Sequence, residues 1–181
     1  MRKFYSTGKS YTTKGLAGLK SKRAGQDAET LLEAQGDIYA AENRARIWKR
    51  HEPYRRLGGS KLKGGAFRAV YTGRAGCDYQ IMLSDGRGGL LELKSRSGAR
   101  IRIDAIDDVQ RQELSQASEW GHLALIVVRL SGEWFVVPYE NWEHAHRKSH
   151  TIKQLLEIGH QIPVVGGLPD ILRVFEGIIE G

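Results

Sequence analysis

The sequence predicts an α/β fold, and three observations carry that reading. Apolar residues recur at helical spacing near the start and again near the middle of the chain. Between them two short runs alternate apolar and polar, and a long apolar run at 122–130 follows the second helical stretch. With 181 residues, 40 % of them hydrophobic, the chain suffices for one domain with a sizeable core.

Residues 1–24 mix Gly, Ser, Thr and Lys without apolar period and read as a flexible basic arm, leaving 25–181 as the folded domain. A helix is expected from near Gln26 to about Asn43, with Ala28, Leu31, Leu32 and Ile38 on one face and Gly36 weakening its middle. Arg46 to His51 alternates as a first strand. The stretch Glu52 to Ala66 carries Pro53, four glycines and several cations, and is either a protruding basic element or a disordered linker. Tyr79–Ser84 and Gly89–Ser95 read as strands around Asp85-Gly86-Arg87. A helix follows from about Asp107 to Glu119, with Asp107 or Asp108 suited to its N-terminus. His122–Leu130 and Trp134–Pro138 are strands, and short helices at Glu140–Lys148, Thr151–Ile158 and Pro169–Glu180 close the chain.

Composition narrows the function. No apolar run approaches the ~20 residues of a membrane span, so no membrane role is expected. Cys77 is the lone cysteine, which excludes an intrachain disulfide and suits a reducing cytoplasm. The net charge is +7, and it is segregated. The first 26 residues hold seven Lys or Arg, Arg23 among them, and no acid. Residues 44–74 hold Arg55, Arg56, Lys61, Lys63, Arg68 and five other cations against Glu52 alone. A solubilising surface would mix both signs, whereas this pattern suits a phosphate backbone.

The chemistry concentrates in one hairpin. Tyr79, Ile81 and Leu83 alternate on one strand, as Leu91 and Leu93 do on the other. Pairing Ser84 with Gly88 across a three-residue turn sets Ile81 opposite Leu91 and Tyr79 opposite Leu93, gathering the apolar side chains on the core side. Asp78 then falls opposite Lys94, with Glu92 diagonal to it, on the other face. Two neighbouring carboxylates repel unless a cation neutralises them. Mg²⁺ (or Mn²⁺) is such a cation and can bridge a phosphate to an attacking water. Asp78 and Glu92 are the expected ligands, with the Leu93 carbonyl a further one. Lys94 would stabilise charge on the phosphate, or orient or deprotonate the water. A metal-dependent nuclease is the expectation.

Gly76-Cys77-Asp78-Tyr79 followed by Leu91-Glu92-Leu93-Lys94 resembles the core of the PD-(D/E)xK nuclease superfamily. More specifically, the chain resembles the RecU-type Holliday junction resolvases of bacteria and their phages. Arg23-Ala24-Gly25 with Glu29 is similar to that family's first-helix glycine and glutamate. Ile106-Asp107-Asp108-Val109-Gln110 is similar to its segment after the hairpin, and Arg147-Lys148-Ser149 with the closing helix to its C-terminal portion. The resemblance implies a restriction-endonuclease-like core, with a central mixed β-sheet flanked by helices. It implies a homodimer that nicks four-way DNA junctions symmetrically in recombination and repair. Gln110 would sit in or beside the metal's ligand shell, and Glu29 would either reach the site or be a surface residue. Residues 52–66 would correspond to a stalk between the junction arms. The chain departs from the pattern at Gly76, where the family often has a metal-binding Thr. Another endonuclease of the superfamily, acting on duplex or branched DNA, and a non-catalytic architectural DNA-binding protein are the alternatives.

Other signals are weaker. His144, His146 and His150 lack zinc-site spacing and read as helix surface. The four tryptophans, Trp48, Trp120, Trp134 and Trp142, are assigned to the core, and Cys77 to a buried place beside the site.

Overall fold

The computed structural model describes residues 3–4, 10–11, 13–51, 54–56, 69–71, 76–145 and 147–174. Two short strands, β1 (Lys3–Phe4) and β2 (Ser10–Tyr11), pair with each other ahead of α1 (Thr13–Ala41). This helix begins well before Gln26, so residues 13–24, expected in an arm, have helical backbone. Leu16, Ala17 and Leu19, with Lys14, Lys20 and Lys22 flanking them, are good helix formers, and their propensity outweighs Gly15 and Gly18. Gly36 belongs to the interface: a Cβ there would sit 3.2 Å from the Cβ of Ile47, on the first long strand.

That strand, β3 (Ala45–Lys49), is one edge of a six-stranded sheet. Next, β4 (Tyr54–Arg56) pairs antiparallel with β5 (Ala69–Tyr71), closing the base of the glycine-rich segment. The expected insertion, 52–66, is therefore spanned by a ladder that reaches Tyr71, and its interior lies outside the described residues. The hairpin follows as β6 (Tyr79–Leu83) and β7 (Gly88–Arg96). A short pair-forming strand, β8 (Ile101–Arg102), and a 3₁₀ turn lead into α2 (Asp108–Glu119). The remaining long strands are β9 (Leu123–Leu130) and β10 (Glu133–Pro138), followed by α3 (Tyr139–His144). β11 (Ser149–His150) pairs with β8, and α4 (Ile152–Ile158) leads to β12 (His160–Ile162).

The sheet order is β12-β10-β9-β7-β6-β3. Neighbours are antiparallel except β7 and β9, which run parallel with Gly89 beside Leu123 and Glu92 beside Ile126. The sheet is thus mixed, as expected. A parallel pair requires a crossover, and α2 supplies it.

Helices cover both faces. On one, Ala28, Leu32 and Tyr39 of α1 pack on Tyr79, Ile81, Leu91, Leu93 and Val127. On the other, Leu114 and Ala117 of α2 join Ile126, Val128, Phe135 and Trp142. The central strand β9 is buried on both sides, and its sequence LALIVVRL is correspondingly apolar. Among the described residues no helix is long and apolar enough to cross a membrane.

Four further expectations are corrected. The hairpin register is shifted by two: Tyr79 pairs with Leu91 and Ile81 with Gly89. The turn still has three residues, but they are 84–86. Gly86 takes a left-handed φ of +89°, and the Leu83 N–H donates to the Arg87 carbonyl (2.8 Å). A three-residue loop favours Gly at its last position, where a left-handed residue forms a bulge. A shift of two leaves each side chain on its expected face.

The C-terminal helix starts later than expected. β13 (Val164–Val165) and β14 (Leu168–Pro169) form a hairpin that takes up Pro169, helical backbone begins at 172, and residues 175–180 lie outside the described residues. Gly166 and Gly167, with φ of +59° and +87°, make the turn that the apolar pattern concealed.

Trp134 and Trp142 are core residues, but Trp48 and Trp120 are 41 % and 67 % exposed. His150, expected on a helix surface, is fully buried. Its ring centroid lies 4.9 Å from that of Trp142, and neither ring nitrogen has a partner.

Candidate active site

The alternation of β7 divides its side chains between the two faces. Leu91 and Leu93 go to α1; Glu92 and Lys94 go to α2. Asp78 lies just before β6 and next to Glu92, one step beyond the Tyr79–Leu91 rung. Its N–H donates to Glu92 Oε2 (3.1 Å), while the Leu93 N–H donates to Asp78 Oδ2 (3.1 Å). The Arg50 N–H donates to the Asp78 carbonyl (2.7 Å), so backbone from β7 and from the residue just past β3 holds Asp78. The two-residue register shift thus sets Asp78 beside Glu92 rather than opposite Lys94.

Gln110 completes the cluster from the helix. Asp107 is the N-cap of α2, its Oδ1 accepting from the N–H groups of Val109 and Gln110 (both 3.0 Å). Gln110 Oε1 returns the contact by accepting from the Asp107 N–H (3.1 Å), a capping box. The same amide donates through Nε2 to Glu92 Oε1 (2.7 Å) and accepts from Lys94 Nζ (3.2 Å). Lys94 Nζ is also ion-paired with Glu92 Oε1 at 2.5 Å. One residue therefore both starts the helix and ties it to the sheet's buried carboxylate.

Glu92 is fully buried. Burial, reinforced by the charge of Asp78, pushes its carboxyl up to about 7, against the pull of Lys94. A divalent cation beside it would favour the ionised form. Among the described residues no three His, Cys, Asp or Glu side chains converge on a metal-holding geometry. The donor set is two carboxylates with an amide beside them. That fits Mg²⁺, which keeps several waters and takes one or two carboxylates plus substrate phosphate oxygens.

One functional candidate escaped the sequence reading. Glu113, one turn after Gln110, accepts from the Cys77 N–H (2.9 Å) and is held by both terminal nitrogens of Arg50. Arg50 accordingly holds Glu113 below the usual carboxylate range. A Cβ on Gly76 would lie 1.9 Å from Glu113 Oε2, so a Thr at this position is excluded with Glu113 where it is. The signal that could have found Glu113 is its spacing of three from Gln110, which puts both on one helix face. Cys77 is buried as expected, and burial pushes its thiol well above the usual value, making it a poor nucleophile.

The other assigned residues fall elsewhere. Glu29 is ion-paired with Lys49 (2.7 Å), which also holds Glu33 (3.0 Å). Tyr79 Oη donates to Glu33 (3.1 Å) on that side of the sheet. No described hydrogen bond or ion pair joins Glu29 to Asp78, Glu92 or Lys94. For Arg23, Arg55 and Arg56 only the backbone is described, in α1 and β4; Lys61, Lys63 and Arg68 lie outside the described residues. His144 Nδ1 lies 2.7 Å from the Glu140 carbonyl, in its own helix, and His146 is outside the described residues.

No protein-family model matches the chain, and no curated protein matches it. Among solved structures it is similar to the Holliday junction resolvase Hjc of Archaeoglobus fulgidus, an archaeal hyperthermophile. The TM-score is 0.41 and the identity 12 %, over 70 % of this chain and 92 % of that one.

Proposed function

We propose that this protein is a metal-dependent endonuclease that cuts DNA at four-way junctions. The observation that carries the reading is the convergence of Asp78, Glu92, Lys94 and Gln110 at one face of the sheet, around the buried carboxylate of Glu92. Asp78 and Glu92 would hold Mg²⁺ or Mn²⁺, with Gln110 in or beside the ligand shell. When bound, the ion supplies Lewis-acid activation of the scissile phosphate and of water.

The chain's own residues do the rest. Lys94, only 17 % exposed, brings a fixed ammonium to the carboxylates and would stabilise charge building on the phosphate. Gln110 orients Glu92 and sets the rotamer of Lys94 through one amide. The Leu93 and Asp78 N–H groups fix the two carboxylates relative to each other. The net charge of +7 and the two basic segments support a polyanionic substrate. A homodimer would supply two related active centres for paired nicks, and the 52–66 insertion would enter the branch point; both are parts of the proposal.

One observation favours the architectural alternative. In the arrangement described, both oxygens of Glu92 are already satisfied within the protein, by Lys94, Gln110 and Asp78. One experiment separates the readings. The purified chain is incubated with a synthetic four-way junction and with linear duplex, each with Mg²⁺ or EDTA. Nicking of the junction in Mg²⁺ alone, lost in Asp78→Asn while binding persists, is the expected result. Equal cutting of both substrates removes the junction preference, and binding without cutting leaves the architectural reading.

A further inference from the structure

The exposed tryptophans stand at one place. Trp48 on β3 and Trp120 at the end of α2 line the same groove, about 420 Å³ in volume, between α2 and strands β3, β6 and β7. This volume lies within the ~300–1,000 Å³ typical of small-ligand clefts. Trp120 caps α2, its N–H donating toward the Gln116 and Ser118 carbonyls, and Gly121 turns the chain away. The backbone carrying the indole is therefore fixed. Met82, 51 % exposed, and Leu90 add apolar lining, and Gln80 and Gln116 add side-chain amides to it.

The groove adjoins the carboxylate cluster. Arg50 and Glu113 line it, and the same two residues hold Asp78 and Cys77 by their backbones. Their charges cancel in the ion pair, so no net negative charge on the groove repels a polyanion. Two indoles, two side-chain amides and a neutralised ion pair suit a flat aromatic group with hydrogen-bonding edges, and the neighbouring carboxylates suit one carried on a phosphate chain.

We propose that the groove binds one unstacked nucleobase of the DNA held at the Asp78–Glu92 site, stacking it on Trp48 or Trp120. The inference rests on the nuclease reading for the position of the DNA, and it adds a source of substrate selectivity. Extruding a base is least costly where pairing is already lost. An occupied groove therefore favours branch points over continuous duplex without reading sequence.

The test uses the full chain in EDTA, so that binding is read without cutting. The probes are a four-way junction with 2-aminopurine at its branch point, the same junction abasic at those positions, and a linear duplex. The native protein should quench the 2-aminopurine and bind the base-bearing junction roughly tenfold more tightly than the abasic one. Trp48→Ala or Trp120→Ala should abolish that preference and leave duplex affinity unchanged; Trp120→Phe should keep most of it. Equal affinity of the native protein for both junctions overturns the proposal. So does undiminished discrimination in both alanine variants, or a shift from dimer to monomer with discrimination intact, which would make the groove a contact between copies. A parallel reaction in Mg²⁺ keeps the two readings apart. Nicking without base discrimination removes the groove proposal alone, and discrimination without nicking removes the nuclease alone.

Discussion

The carboxylate of Glu113 occupies the space that a side chain at position 76 would need. A Cβ on Gly76 would meet Glu113 Oε2 at 1.9 Å, while that oxygen accepts from the Cys77 N–H. Gly76→Ala should therefore displace Glu113 from Arg50 and Cys77, costing about 1–3 kcal/mol as an overpacking change. Because the two sites touch, the costs should not add. In a Glu113→Ala background the Gly76→Ala penalty should nearly vanish. Chemical denaturation of the four proteins measures the coupling, and a full penalty in the double variant contradicts the steric account.

Glu92 should make stability depend on pH. Its folded value of about 7 lies above the ordinary 4.5, so between those limits the native state binds more protons than the unfolded chain. Its contribution is complete below about pH 4.5 and is lost as pH rises through about 7. Glu92→Gln should flatten that part of the profile. Denaturation in the absence of divalent ions, from pH 4.5 to 7.5, checks this; parallel curves for both proteins would be the contrary result.

His150 should act in the opposite direction. Burial holds its imidazole below the usual 6.5, with a smaller effect from Arg147. The native state then binds fewer protons, so stability falls as pH drops below about 6.5. His150→Leu removes two unpartnered ring nitrogens from the interior. It should resist acid better than the native protein while changing stability by less than ~1.5 kcal/mol at pH 8. Melting curves at pH 5 and 8 decide it.

Lys94→Gln separates binding from chemistry. The variant removes a charge that lowers the Glu92 pKa, so the carboxyl should titrate higher still. Nicking of a four-way junction in Mg²⁺ should fall about 10²- to 10³-fold, the scale for losing a preorganised charge stabiliser. Junction affinity in EDTA should change little. Comparable losses in both measurements would assign Lys94 to DNA anchoring.

Salt supplies a last check. If the basic segments contact phosphates, log affinity for DNA should fall linearly with log salt concentration, with a slope of about −0.9 per phosphate neutralised on duplex. Charge reversal at Arg55 and Arg56 should shallow that slope. A slope unchanged by the substitutions would place the contacts elsewhere.

Several elements were legible because their signals are local. Asp107, one of two candidate residues, caps α2, and the β6 and β7 patterns fixed which residues face the core. The faces survived although the register did not, because a two-residue slip preserves parity. What selected the true register was the left-handed backbone of Gly86, a turn preference the apolar pattern does not encode. The burial of Glu92 and the reach of Gln110 required knowing that α2 crosses over β7, a tertiary relationship with no periodic trace. Trp48 and Trp120 were assigned inward on composition. Their exposure follows from position, one on an edge strand and the other at a helix end.

The parallel pairing of β7 with β9 sets when the site can form. Gly89 and Leu123 lie 34 positions apart (123 − 89), and they meet only once the intervening chain has closed on itself. Closing such a loop costs chain entropy before its contacts return anything, which slows folding of non-local strand pairs. Glu92 lies on that seam and loses water only when α2 settles over it. A nascent chain released before Leu130 has emerged would therefore carry every residue of the cluster and no assembled centre.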